Sequence, residues 1–246
     1  LFTQTPHSAR SRKTLAASKK QTDMKVSQKD SYNIISLWDG QKINDAVQLI
    51  KDGKADGINF NFTENFPKDL NEIKSAQQIK FVQINGYSWD FDYSAINELN
   101  NIEELLIYTT DKREINFASF PNLKRTAIFW RPKADSLFEC TGLERLFLGK
   151  YSYPDLSRLS KLTNLRYLRI NTGSVQHLKG IENLKNLETL MLMQVTKLED
   201  LAGIESLTKL NKLQIDNCKN IKNIDLVKKL DTIKSLTIVG TTPRPN

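Results

Sequence analysis

Ten side chains in the middle of this chain have the chemistry of recognition rather than of catalysis: Arg125, Arg145 and Arg169, with Tyr108, Phe129, Phe147, Tyr167, Leu106, Met191 and Met193. Guanidinium groups present forked donors to carboxylates and stack on aromatic faces. Aromatic rings, Met and Arg carry most of the energy of protein interfaces, because they bury much area for little lost side-chain freedom. All ten stand at outward positions of one recurring apolar signature, so they are expected to meet on one surface. Leu106, Phe129, Phe147, Met191 and Met193 have a plainer role open to them, packing on one another across neighbouring strands. The arginines, likewise, need only keep the strands soluble or stack on Tyr167 and Phe147. Recognition is the favoured reading, because self-packing leaves one side of a contiguous apolar patch wet.

The elements that must position these residues are read from the signature itself. It runs apolar-x-x-apolar-x-apolar nine times between Ala55 and Ile238, recurring after 20 to 24 residues. Weak copies at Ala55, Ile58 and Phe60 and at Leu123, Thr126 and Ile128 accompany clean ones such as Leu143, Leu146 and Leu148. The last two apolar positions are two apart, so in a strand they share one face while their neighbours point to the other. Between copies the spacing changes to three, as in Val175, Leu178, Ile181 and Leu184, which suits a short helical or 3₁₀ turn laid against the strand. Strand, turn, short helix and return make one coil, and self-similarity at this period predicts a stack of about nine.

With Leu-Thr-Asn-Leu at 162–165 and Leu-Lys-Asn-Leu at 184–187 as its joints, the stretch from Leu143 to Ile238 resembles the leucine-rich repeat family, in the 22-residue form of bacterial internalins and some phosphatase regulatory subunits. The resemblance implies an α/β solenoid over 55–240, with a parallel sheet on the concave side, short helical or 3₁₀ segments on the convex side, and protein recognition as its task. Neutralising a toxin or regulating an enzyme would be an analogy from architecture alone. The family commonly has Asn three residues beyond each strand, tying successive turns together. This chain has Tyr87, Thr110, Arg131, Tyr151, Gly173, Val195 and Cys218 there, with Thr110 and Cys218 as partial substitutes.

A solenoid needs covers at its ends. Ile43, Ala46, Val47, Leu49 and Ile50 follow helical spacing up to Gly53, so 31–54 is expected to be a helical amino-terminal cap. After Ile238 come Val239 and a polar run with the tail 241–246, and the last coil is expected to be covered by that tail, to meet another copy, or to mark a cut in the chain. Tyr87, Trp89, Phe91 and Tyr93, and likewise Trp130, follow strands and are expected to pack.

The net charge of +8 is concentrated at one end. Residues 1–30 contain seven basic against two acidic residues, and the remainder 29 against 26. That segment is read as a disordered basic tail or leader, poor in apolar residues. Residues 1–22 contain no acidic side chain, so an organellar transit peptide is the alternative to a cytoplasmic location. Nucleic-acid association through the tail and the Arg-aromatic face is the weaker partner reading; a protein with acidic groups is the stronger. No apolar run approaches membrane-spanning length. Cys140 and Cys218 belong to distant coils and are expected to be free thiols. With no phosphate-cradling glycine loop, metal-ligand spacing or nucleophile-base pair, no catalytic residue, metal or cofactor is expected.

Overall fold

The computed structural model describes residues 24–241 apart from 66, 87–91 and 110–112. The expectations for the basic residues up to 23, for Tyr87, Trp89, Phe91 and Thr110, and for 242–246 lie outside the described residues. Strands β1 (Val26–Lys29) and β2 (Tyr32–Leu37) form an antiparallel hairpin, followed by helix α1 (Ile43–Lys51). The repeats supply β3 (Gly57–Phe60), β4 (Phe81–Asn85), β5 (Glu104–Tyr108), β6 (Arg125–Phe129), β7 (Arg145–Tyr151), β8 (Tyr167–Gly173), β9 (Thr189–Met193), β10 (Lys212–Asp216) and β11 (Ser235–Val239). They join β1 and β2 in one sheet in chain order, and every pairing from β2 onward is parallel. The connections on the far side of the core are short 3₁₀ segments, as the three-residue spacing predicted.

Period two places the apolar pair of each signature in the core: Leu146 and Leu148, Leu168 and Ile170, and Leu190 and Leu192 are all fully buried. Even the degenerate copy conforms. Thr126 sits in the same interior column and donates its hydroxyl to the Leu105 carbonyl at 2.7 Å, so its polarity is satisfied. Helix α1 buries Ile43, Ala46, Val47 and Ile50 and stops at Gly53, whose φ of 71° is open to glycine.

The front end departs from the expected tail and cap. Val26–Lys29, assigned from sequence to the disordered tail, pairs with β2, so hairpin and helix together cover the first coil. At the other end Leu236 and Ile238 are 46% and 38% exposed, whereas Leu213 and Ile215, their neighbours in register, are fully buried.

Without the family's asparagines, the coils are tied by other means. Lys150, Thr172, Gln194 and Asn217, one per coil, all adopt positive φ, at 55°, 61°, 54° and 53°. This left-handed turn aims an N–H at the next coil: Gln194 to the Asp216 carbonyl at 2.7 Å, Asn217 to that of Val239 at 2.8 Å, and Lys150 to the Thr172 hydroxyl at 3.2 Å. Cys218, buried with its thiol 3.5 Å from the Leu192 carbonyl, is a partial substitute as expected. Arg131, also at an asparagine position, is a larger one. Buried at 3% exposure, it donates to the Tyr93 hydroxyl at 2.7 Å and the Thr109 carbonyl at 3.1 Å. Trp130 packs with Phe138, Tyr151 and Tyr153, as expected of it.

Candidate recognition site

Strand register sorts the open face of the sheet into rows. One runs Phe81, Glu104, Arg125, Arg145, Tyr167; the next runs Gln83, Leu106, Ala127, Phe147, Arg169, Met191. In the second row the small side chain of Ala127 stands between the large ones of Leu106 and Phe147. The result is a cavity of about 370 Å³ lined by Leu106, Tyr108, Arg125, Arg145, Phe147, Tyr167 and Arg169, with Ala127 among the lining residues. Its size is that of a small ligand site.

The hairpin reaches Arg125, one wall of this cavity. Asp30, at the turn with φ of 52°, reaches the Arg125 guanidinium at 3.0 Å. Lys29 donates to the Gln83 side-chain carbonyl at 2.8 Å and lies 4.9 Å over the Phe81 ring, and the Tyr32 hydroxyl donates to Glu103 at 3.1 Å. Beneath that strap Ile34, Phe81, Leu106 and Ala127 form a second apolar cluster, separate from the main core.

Three guanidinium groups face the cavity, and they are not equivalent. Arg125 is held between Asp30 and Glu104, the latter 3.4 Å away. Arg169 lies 5.0 Å over the Phe147 ring, and its Nε is buried without an acceptor. Arg145 is exposed, and neither it nor Arg169 forms an ion pair among the described residues. The Tyr167 hydroxyl donates to the Met191 sulfur at 2.9 Å, a weak acceptor.

Burial pushes the Glu104 carboxyl above its ordinary range, with the Arg125 charge opposing the shift. A carboxyl with a higher pKa in the folded chain contributes stability that is complete below its unfolded value and is lost as pH rises through the folded value. The stability of Glu104→Gln relative to the wild type should therefore improve as pH climbs from about 4. Urea midpoints measured across that range check this; a difference independent of pH would show that the carboxyl is solvated.

Of the residues expected on display, Tyr108, Arg125, Arg145, Phe147, Tyr167 and Arg169 line the cavity. Leu106 does not belong on display. It is 2% exposed, because the hairpin side, Phe81 and Ala127 enclose it, and it serves as part of the cavity wall. Phe129 lies half-buried on Gly149, with the Lys150 ammonium 5.7 Å over its ring. Met191 and Met193 are half-buried on β9. Sequence reasoning missed Glu104 and Ala127, although both occupy outward positions of their signatures. Among the described residues no group of three or more His, Cys, Asp or Glu could hold a metal ion, and no helix is long and apolar enough to cross a membrane.

No family model and no curated protein matches the sequence. Solved structures do. An internalin (inlF) from Listeria monocytogenes superposes with a TM-score of 0.63 at 16% identity, covering 81% of this chain and 65% of its own. Internalin C2 (inlC2) from the same organism gives 0.55 at 18% identity, covering 70% and 76%. This chain thus spans less than two thirds of the first of these proteins. At such identities the likeness establishes a common fold.

Proposed function

We propose that this chain, which has the leucine-rich repeat fold, is a non-catalytic recognition module that binds a protein on the open face of its sheet. Folds of this kind are generally protein-interaction modules. The observation that supports the site is a cavity on that face bordered by three arginines and by Tyr108, Phe147 and Tyr167, flanked by the half-buried Phe129, Met191 and Met193. Rings and guanidinium groups around a depression are the composition of an interface centre.

The test compares the full chain with Phe147→Ala and Phe129→Ala in partner capture, followed by titration of the captured protein. Each variant should lose about 2 kcal/mol of binding. Its melting temperature should stay within about 3 °C of the wild type. Equal losses of stability and binding would assign these rings to the core, and unchanged capture by both variants would move the interface elsewhere.

A further inference from the structure

The open-face cavity has more donors than acceptors. Among the described residues neither Arg145 nor Arg169 has a carboxylate, Arg169 carries an unpaired Nε, and the Tyr167 hydroxyl is spent on a sulfur. The one carboxylate in the row beside them, Glu104, already faces Arg125. The half-buried Arg169 guanidinium without an anion is an incomplete arrangement, because its desolvation is not offset by charge-assisted hydrogen bonds, and the exposed Arg145 stands beside it as a second, open donor.

The chain itself displays the chemistry that would complete it. Asp30 crosses 95 positions of sequence to set a carboxylate on Arg125, and it does so from a turn where its side chain remains 62% exposed. A side chain this open is exchangeable. Beyond the cavity, Phe129, Met191 and Met193 stay half-buried on the same face, so apolar surface is available to residues flanking an inserted acidic group.

We infer that the cavity takes a single carboxylate from an acidic segment of a partner polypeptide, seated between Arg145 and Arg169, with Asp30 as the chain's own competing carboxylate at the Arg125 side. The inference rests on the recognition reading of the same face. It specifies a segment in which one acidic residue lies between apolar ones. Polyanions that bind by charge alone are a different class.

Arginine Nε–H resonances of the full chain, recorded by nitrogen-correlated NMR, provide the readout. The probe is an acetylated, amidated heptapeptide with one central glutamate between two leucines; the controls are its glutamine twin, acetate, and a thymidine oligonucleotide. Saturable shifts at Arg145 and Arg169 are expected with the glutamate peptide, and binding about tenfold weaker or more with its twin. Arg145→Gln and Arg169→Gln should each weaken the peptide about tenfold, and Asp30→Asn should tighten it about threefold. Ala127→Leu, which fills the cavity, should block it while the remaining amide resonances keep their positions.

An equal response to the glutamine twin, or no saturable shift at these arginines, overturns the inference. Acetate binding as tightly as the peptide would assign the cavity to a free acid instead, and tighter oligonucleotide binding at the same arginines would assign it to phosphate. Should partner capture be lost in Phe147→Ala but survive Arg145→Gln and Arg169→Gln, recognition by the face stands and the carboxylate seat falls. Capture insensitive to all three removes the recognition reading itself.

Discussion

Gly180→Ala should destabilise the chain by about 3 kcal/mol or more, while Gly203→Ala should cost about 1 kcal/mol. The two glycines occupy the same place in successive coils, each preceding a 3₁₀ segment, with φ of 100° and 97°. Each N–H donates to a glutamate two residues on, Glu182 at 2.7 Å and Glu205 at 2.9 Å. Their backbone strain on substitution is therefore alike, and only their surroundings differ. A methyl group at 180 would lie 2.5 Å from the Leu156 carbonyl carbon and the Ser157 nitrogen, whereas at 203 the nearest atom is the Ile181 Cγ2 at 3.3 Å. A side-chain methyl can yield by a few tenths of an ångström; backbone of the preceding coil yields only if the coils separate. Urea titration of the two variants measures the difference, and equal costs would show that the coils are not packed this closely at Gly180.

The second large effect is expected at Arg131. Its guanidinium bonds the Tyr93 hydroxyl and the Thr109 carbonyl, both buried, from inside the stack. Arg131→Ala deletes both hydrogen bonds and opens a void the size of the removed side chain. A lost bond from a charged donor costs about 1.5–3 kcal/mol and the void adds to it, so a total of about 3 kcal/mol or more is expected. Tyr93→Phe, which removes only the hydroxyl, should cost about 1 kcal/mol. Thermal unfolding of both variants separates the contributions. An Arg131→Ala cost no larger than that of Tyr93→Phe would reduce the arginine to a spectator.

The coil stack was legible because burial at period two and turns at period three leave apolar residues at fixed offsets, and those offsets survive even where Thr126 replaces a leucine. What ties the coils was not legible. The left-handed turns at Lys150 and Gln194 have no residue-type signature of their own, since each uses its backbone N–H, toward the Thr172 hydroxyl or the Asp216 carbonyl of the next coil, rather than its side chain. Arg131 was read as a departure from asparagine, because spacing says nothing of a long side chain turning inward to reach Tyr93. The site was legible to the same extent. Outward positions located seven of the cavity's walls, but Ala127 matters for what it lacks, and Leu106, read as displayed, was enclosed by residues distant in the chain. The hairpin could not be found from composition, because Val26–Lys29 is polar and gains its order from pairing with β2 and contacts across the face.

The Asp30–Arg125 contact has a consequence for cooperativity. A solenoid whose coils touch only their neighbours folds as a linear chain of nearest-neighbour units. Bridging the first strands to β6 closes a loop around the intervening coils, so opening of β3 to β6 is expected to be coupled to release of the hairpin, a coupling that the coils beyond β6 lack. A single exposed ion pair adds little to total stability; with the Lys29 and Tyr32 contacts it would bias the front coils toward opening together.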